Sequence, residues 1–186
     1  MNIKIIKKVS KYVLGSILIL ALIWICKFLL LGNFHKVDNS VFRSGQLFTF
    51  NMPYYVEKHG IKSIINLRGV SQRDWYKDET NYANSLGIKH YNYGFSDRKV
   101  QSIEKMNRLV ELIKKAPKPV LIHCKAGADR ASLASALYLL DVKNDKQASE
   151  QISLRYGHFP WLGSKTKAMD KSYENYFLHK IINDDT

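Results

Sequence analysis

The chain of 186 residues is long enough for one domain with a sizeable core, and its 46% apolar and 24% charged residues exclude general disorder. Its formal net charge of +13 suits anionic partners such as phosphate esters, acidic lipids or nucleic acid. The sequence contains no RNA-binding fingerprint, zinc-finger spacing or internal repeat, so nucleic acid is not expected as a partner.

The first predicted element is a membrane anchor. Residues 12–32 are apolar and follow a lysine-rich flank, residues 1–11, and about 20 apolar residues suffice to cross a bilayer. Lys27 is the one charge in this segment, and it lies near an end, where its side chain can reach the interface. A cleaved signal peptide would end in a small-x-small site, and a buried core helix would have a polar face; the segment has neither.

The flank also predicts the orientation of the anchor, because positively charged flanks stay in the cytoplasm. We therefore expect a single-pass membrane protein with a cytoplasmic N-terminus. The remaining domain, residues 33–186, is then expected to be extracytoplasmic, on the periplasmic side.

After a short polar linker, residues 33–40, predicted strands alternate with predicted helices. Strands are predicted at 61–67, 88–95 and 120–123; helices are predicted before Gly60, at 74–86, 103–116 and 130–140, and in 145–157 and 164–181. This alternation predicts an α/β fold with a mostly parallel central sheet and helices on both faces.

The two cysteines lie in different environments. Cys26 lies in the predicted anchor, so Cys124 is the one cysteine of the domain and no disulfide can form within it. A lone thiol in an oxidising compartment is a liability unless it has a use, which is a first indication that Cys124 is functional.

The segment around Cys124 combines a nucleophile with features that bind phosphate. The apolar strand Val120–His123 brings Cys124 to the carboxyl end of the predicted sheet, where ligands bind in α/β folds. In residues 124–130, called the cysteine loop below, Gly127 permits a turn with positive φ. Such a turn can direct backbone N–H groups at an anion, and the next helix adds its positive N-terminal end.

Each part of the cysteine loop therefore has a predicted role. Arg130 can bind two phosphate oxygens at once, and the positive field favours the thiolate of Cys124, the candidate nucleophile. The candidate phosphate cradle is formed by Lys125, Ala126, Gly127, Ala128 and Asp129, together with Arg130. The Lys125 side chain can add to this field or simply be solvated, and both interpretations are open.

This pattern resembles the signature loop of the cysteine-dependent protein tyrosine phosphatase superfamily. The segments RSGQ (43–46), INLRG (65–69) and HCKAGADR (123–130) are most similar to a bacterial group of small dual-specificity-like phosphatases. The resemblance covers about residues 37–160. It implies a dual-specificity phosphatase type of fold, hydrolysis of phosphate monoesters through a cysteinyl-phosphate, and no metal or other cofactor.

One position departs from the family pattern. The family usually has Ser or Thr directly after the arginine, hydrogen-bonded to the cysteine sulfur; here Ala131 takes that place and Ser132 follows. One step along a helix turns a side chain by about 100°, so Ser132 is not expected to substitute. Slow breakdown of the intermediate is therefore expected, and a catalytically silent, membrane-tethered phosphate-binding module is the alternative function. Sulfur transfer or arsenate reduction fits the pattern less well.

The general acid has two candidates. In this superfamily an Asp upstream of the cysteine usually protonates the leaving oxygen, and Asp97 lies on a predicted loop that suits the role, although it could also cap a turn or helix. Asp129 is the rival, because myotubularin-like lipid phosphatases carry an Asp at that place. Its other possible roles are an ion pair with Arg130 or a helix cap. We favour Asp97.

Further residues could line the site. Arg68 follows a predicted strand and could bind substrate or form a surface ion pair, and Arg43 is a second candidate for substrate binding. His123 is expected to orient the loop rather than act as a base. His158 and Trp161 could close over the site or pack in the core.

The sequence leaves the substrate class open. The anchor, the basic domain and Lys125 suit a phosphorylated lipid or lipid-linked glycan, whereas phosphotyrosine on a protein is the default that the resemblance implies. Scarcity of phosphoproteins outside the cytoplasm favours the membrane substrate.

Overall fold

The computed structural model describes residues 3–184; residues 1–2 of the predicted flank and 185–186 of the predicted domain lie outside this range. Within it, the helices and strands are α1 (Ile3–Leu29), β1 (His35–Lys36), β2 (Val41–Ser44), α2 (Met52–His59), β3 (Ser63–Asn66), α3 (Asp74–Ser85), β4 (Lys89–Asn92), α4 (Ile103–Lys115), β5 (Val120–His123), α5 (Arg130–Lys143) and α6 (Lys167–Asp184).

The strands form one sheet in the order β1-β2-β5-β3-β4. Strands β2, β5, β3 and β4 are parallel, and the short β1 pairs antiparallel with β2. In the central strand β5, His123 lies opposite both Ser44 of β2 and Asn66 of β3. The three strands therefore end at the same level, called the carboxyl edge below, and the segments that follow them meet there.

Helices cover both faces of the sheet. On one face, β-strand side chains such as Val41, Ile65 and Ile122 join a core with α4, α5 and α6. On the other, Phe42, Ile64 and Leu121 pack with residues of α2 and α3. Because both faces are covered, every residue of β2, β3 and β5 is buried, and buried and exposed positions do not alternate along them. The predicted α/β class with a mostly parallel sheet is confirmed.

Helix α4 illustrates how local sequence sets an element. Its buried residues Met106, Leu109, Val110 and Ile113 recur at helical spacing. Ser102 caps its start, with the hydroxyl oxygen accepting a hydrogen bond from the Lys105 N–H at 3.3 Å. The sequence pattern alone is therefore enough to predict this helix.

Two predicted elements differ in the structure. Residues 145–157 do not form a helix but two short 3₁₀ turns, Ala148–Gln151 and Leu154–Tyr156. The Arg43 guanidinium binds the Gln151 backbone carbonyl at 3.0 Å and lies 4.1 Å from the Tyr156 ring centre. These long-range contacts hold the segment in an irregular path that a helix would not allow.

Residues 33–40 were expected to be a linker but are part of the domain. Strand β1 pairs with β2, and the Phe34 ring stacks on Tyr55 with 4.1 Å between centroids. The Asp38 carboxylate accepts hydrogen bonds from the N–H groups of Ser40 and Val41, both at 2.8 Å, and so fixes the turn between the two strands.

Helix α1 extends away from the rest of the molecule. Its segment Lys8–Phe28 is long and apolar enough to cross a membrane, and none of it is buried. Contact with the domain begins at the end of this segment, where the Lys27 ammonium donates to the Arg155 carbonyl at 2.9 Å.

Candidate active site

The cysteine loop begins where β5 ends and is held by the segment that follows β2. The Cys124 N–H donates to the Ser44 carbonyl at 3.3 Å, and the Gln46 N–H donates to the Lys125 carbonyl at 3.0 Å. Cys124 is only 2% exposed. The nucleophile predicted from the sequence therefore lies at the carboxyl edge, in the middle of the sheet.

Gly127 gives the loop its shape. Its φ is +74°, and a Cβ there would lie 2.6 Å from the Gly45 nitrogen, so neither the conformation nor the space allows another residue. In this turn the Gly127 N–H donates to Cys124 Sγ at 3.2 Å. The turn thus directs a backbone donor at the sulfur of the candidate nucleophile.

Arg130 is anchored through one guanidinium nitrogen, whereas its Nε has no hydrogen-bond partner among the described residues. Its Nη1 donates to the carbonyls of Leu67 at 3.0 Å and Phe95 at 3.3 Å, at the ends of β3 and β4. Its Nε is also buried. A buried donor of this kind is costly unless a ligand satisfies it, and an oxyanion in the cysteine loop would do so.

The other loop residues are arranged around this point. Lys125 and Ala126 are exposed, whereas Gly127 and Ala128 are buried. Helix α5 begins directly after Asp129, so the positive end of its dipole points toward the loop. The predicted cradle residues are thus adjacent in space, with their backbone between the sulfur and the helix.

Asp97 lies beside the guanidinium. Its Oδ2 is 3.9 Å from Arg130 Nη2, and its side chain is 31% exposed. It follows β4 on the same carboxyl edge, so a carboxyl group stands next to the phosphate-binding group and remains open to solvent. This placement is the one that a proton donor to the leaving oxygen needs.

Asp129 is held by other residues. Its Oδ1 is 2.8 Å from Nδ1 of the buried His158, whose Nε2 is 2.9 Å from Oδ2 of Asp170. Burial lowers the pKa of His158, but the hydrogen bonds to the two carboxylates outweigh it and raise that pKa above 6.5. We therefore interpret Asp129 as a structural partner of His158. His158 and Trp161 were both expected either to close over the site or to pack in the core, and the two residues differ. His158 is buried, whereas Trp161 is 54% exposed.

Arg43 lies behind the cysteine loop and not in it. The side chain is 0% exposed, and its Nη2 donates to the Gly127 carbonyl at 2.6 Å and to the Ser132 hydroxyl. Burial lowers its pKa to about 10, with the charges of Cys124 and Tyr156 acting in the opposite direction. Both Nη groups of Arg43 bind the protein, and its Nε is buried without a hydrogen-bond partner in the described part of the chain, so this geometry argues against the predicted substrate-binding role and favours a positioning role for the loop.

Arg68 lies close to the site and is partly accessible. Its Nη1 donates to Gln46 Oε1 at 2.7 Å, and its guanidinium lies 3.3 Å from the Trp75 ring centre. Burial and the positive charge of Arg130 lower the pKa of Arg68. Two guanidinium groups held near each other favour an anion between them, so Arg68 remains a candidate for binding substrate.

Sequence reasoning missed Glu79, a buried carboxylate on α3. Its oxygens lie 2.8 Å from His90 Nε2, 3.1 Å from His123 Nε2 and 2.6 Å from Gln46 Nε2. Burial raises the Glu79 pKa, but the charge of and hydrogen bonding to the two histidines reverse this and hold it well below its usual range. His123 thus lies at ion-pair distance from a buried carboxylate of α3, and its orienting role stays a prediction.

The signal for Glu79 was present but weak. Glu79 shares the buried face of α3 with Ala83, four residues on. An acidic residue on a buried helix face needs a partner. The sequence alone could not identify His90 and His123 as the partners of Glu79, because both lie on other elements of the fold.

A second missed residue is Asn33, in the segment predicted as a linker. Its Nδ2 donates to the Ala126 carbonyl at 3.0 Å and to the Tyr156 carbonyl at 2.9 Å. Asn33 is 1% exposed. The residue that follows the anchor therefore also fixes the cysteine loop.

Ser132 does not face the sulfur. Its hydroxyl accepts from Arg43 and donates to the Ala128 carbonyl, four residues earlier in the chain. Ala131 is fully buried. Ser132 therefore does not replace the hydroxyl that usually contacts the cysteine sulfur in this family.

Comparison with solved structures shows the same fold in several phosphatases. The core catalytic domain of the PP-IP phosphatase SIW14 from S. cerevisiae is 20% identical, with a TM-score of 0.62 over 82% of this chain and 92% of that one. TpbA from P. aeruginosa is 18% identical, with a TM-score of 0.57 over 79% and 89%. PTPMT1 in complex with PI(5)P is 16% identical, with a TM-score of 0.54 over 79% and 98%. No curated protein matches the sequence.

A family model described as the tyrosine phosphatase family matches residues 28–137, which include Arg43, Asp97 and the whole cysteine loop. The match spans more than half of the chain and agrees with the resemblance seen in the sequence. The chain is a cysteine-dependent phosphatase and belongs to the tyrosine phosphatase family.

Proposed function

We propose that the chain hydrolyses phosphate monoesters through a covalent intermediate on Cys124, with a phosphorylated lipid or lipid-linked glycan of its own membrane as substrate. The observation that carries the proposal is the meeting of three groups at the carboxyl edge. Cys124 Sγ, the Gly127 N–H 3.2 Å from it, and the unpaired buried Nε of Arg130 all belong to the cysteine loop. A phosphoryl group there offers an atom to attack and oxygens that satisfy the donors.

The reaction has two steps. In the first, the thiolate attacks phosphorus, an S–P bond forms, and the P–O bond to the leaving group breaks as Asp97 gives a proton to the leaving oxygen. In the second, the Asp97 carboxylate takes a proton from water while the water oxygen attacks phosphorus. The S–P bond breaks, inorganic phosphate leaves and the thiolate is restored. Arg130 and the loop N–H groups stabilise negative charge on the phosphoryl oxygens throughout.

The position of α1 supports a membrane substrate. Just beyond the helix, the Gly32 carbonyl accepts from the Gly45 N–H at 2.7 Å, and Asn33 binds Ala126 of the cysteine loop. A membrane crossed by α1 would thus lie on the side of the sheet that holds the site. The complex of PTPMT1 with PI(5)P is a structure of this fold with a phosphorylated lipid. An extracytoplasmic location of the domain is part of the same proposal and depends on the lysine-rich flank.

The experiment is a substrate panel with the full chain in detergent micelles. It comprises an aryl phosphate, a phosphotyrosine peptide, a phosphoinositide, phosphatidylglycerophosphate and lipid A phosphate. We expect the largest kcat/KM for a lipid phosphate and no effect of chelators. The highest kcat/KM for the peptide would contradict the lipid substrate and leave the chemistry intact.

The matched control is Cys124→Ser, which removes the nucleophile and keeps the cradle. This variant should lose turnover yet still bind vanadate, whereas Arg130→Ala should lose both. Turnover retained by the serine variant would contradict the covalent mechanism.

The silent binding module is the second candidate, favoured by one observation, the absence of a hydroxyl at Ala131 with Ser132 turned toward Ala128. A rapid burst of phenol from the aryl phosphate, followed by slow turnover, would support the enzyme with slow intermediate breakdown. No release of phenol with phosphate still bound would support the module.

A further inference from the structure

Two loops at the carboxyl edge expose large apolar side chains. In the first, Phe159, Trp161 and Leu162 are 44%, 54% and 94% exposed, and the two aromatic rings are 5.0 Å apart. In the second, Phe48 and Phe50 are 41% and 63% exposed and stack at 6.0 Å. Single exposed apolar residues are ordinary, but paired aromatics on two loops indicate a binding surface.

Both loops lie against the end of α1. A Cβ on Gly157 would come 2.5 Å from the Phe28 ring, so the start of the first loop touches that ring. The second loop ends at Asn51, whose Nδ2 donates to the Leu30 carbonyl at 2.9 Å. The exposed side chains therefore belong to two loops that both contact the end of α1.

The end of the apolar helix gives the level of the membrane surface. Lys27 is the charge closest to this end, and its ammonium is bound to the Arg155 carbonyl, two residues before Gly157. Trp and Tyr rings concentrate at the level of the lipid headgroups. Interfacial segments bury Trp, Phe and Leu side chains at the boundary between headgroups and acyl chains. A bilayer crossed by α1 would present that environment to Trp161 and its neighbours.

We infer that Phe48, Phe50, Phe159, Trp161 and Leu162 form a membrane-docking surface that inserts into the headgroup boundary of the bilayer crossed by α1. The inference rests on the membrane anchoring contained in the proposed function. Continuity with the end of α1 identifies the lipid surface as the occupant, since any other partner would have to fit between the domain and the membrane.

Docking would also set the direction in which the site opens. His158 directly precedes the first exposed loop and binds Asp129 of the cysteine loop at 2.8 Å. Insertion of Phe159 to Leu162 would therefore hold the cysteine loop close to the bilayer and facing it. A phosphate on a lipid headgroup could then reach Cys124 without leaving the membrane.

The test uses the full chain reconstituted in phosphatidylcholine–phosphatidylglycerol vesicles. In a Cys26→Ala, Cys124→Ser background, one new cysteine is labelled with the polarity-sensitive dye NBD, either Leu162→Cys or Leu86→Cys. Leu86 is the matched control, because it is 55% exposed and precedes β4 at the opposite edge of the sheet. We expect lipids with a nitroxide near the headgroup to quench the dye at position 162 several-fold more than at position 86, and aqueous iodide to do the reverse.

Equal access of iodide to both positions would overturn the inference. Protection from iodide at position 162 without quenching by nitroxide lipids would also overturn it, since it would identify a protein such as a second copy as the partner. Circular dichroism of the labelled variants checks that they fold. The readout needs no catalysis, so docking can fail while the phosphatase panel succeeds, and the reverse.

Discussion

The two carboxylates near Arg130 differ in what they touch, and this difference supports our proposal that Asp97 is the proton donor. Asp97 contacts the guanidinium only at 3.9 Å and is partly open, whereas Asp129 is bound to His158 at 2.8 Å. A carboxylate hydrogen-bonded to His158 is committed to that ring, whereas the Asp97 carboxylate has no such partner at hydrogen-bond distance within residues 3–184. Asp97 is therefore the better source of a proton.

Asp97→Ala should lower kcat by about 10²–10⁴-fold for an alkyl phosphate, the usual contribution of a positioned acid, and much less for an aryl phosphate with a good leaving group. It should also remove the fall in kcat at high pH. Asp129→Ala is the matched control and should weaken phosphate binding without dependence on the leaving group. Steady-state kinetics over a leaving-group series makes the measurement; dependence seen in the Asp129 variant alone would reverse the assignment.

The residue after Arg130 gives a second prediction at this scale. Ala131→Ser places a hydroxyl where the family usually has one and should speed hydrolysis of the cysteinyl-phosphate, so the slow phase after the burst should accelerate. Ala131 is fully buried, which makes the smaller Ser a better choice than Thr. Rapid-quench kinetics with an aryl phosphate checks this, and an unchanged slow phase would remove the explanation based on Ala131.

At the scale of elements, His158 joins the cysteine loop to α6 through Asp129 and Asp170. Its pKa is raised above 6.5 in the folded protein, so the charged form is stabilised by folding. The stability gained is fully present below about pH 6.5 and is lost as the pH rises through the folded pKa.

His158→Gln should therefore lower the free energy of unfolding most at acid pH, by about 1–3 kcal/mol for hydrogen bonds to charged groups, and less in alkali. His179→Gln, on the exposed side of α6, is the control and should change stability little. Urea unfolding read by circular dichroism measures the free energy of unfolding of both variants. The pH is varied from about 5 to about 9, a range that includes the usual pKa of histidine. An equal loss at all pH values would mean that His158 acts by packing alone.

At the scale of the whole molecule, the lysine-rich flank predicts that the cytoplasm retains the N-terminus. A reporter that folds only outside the cytoplasm, fused after Thr186, should be active, and a cytoplasm-only reporter at the same place should be silent. Fusions to a chain with the flanking Lys4, Lys7, Lys8 and Lys11 replaced by Glu are the control and should weaken this bias. An active cytoplasmic reporter on the natural chain would overturn the proposed location.

The sequence by itself determined strands β3, β4 and β5, the helices α3, α4 and α5 around them, and the residues of the cysteine loop, but not strands β1 and β2 or the path of residues 145–157. The features it determined depend on short-range patterns: apolar spacing in α4, the apolar strand before Cys124, and the fixed interval from Cys124 to Arg130. The family resemblance rested on the same local segments and is confirmed by the match over residues 28–137.

Only the tertiary structure decided which polar side chains meet. Glu79 is bound to His123, Asn33 to Ala126, and Arg43 to Gly127, pairs far apart in the chain. A polar residue satisfied by a distant partner has the same local sequence as a solvated one, since burial and the partner arise only when strands and helices pack. The same packing brought the residue after the predicted anchor, Asn33, to the cysteine loop, a contact that no local pattern could predict.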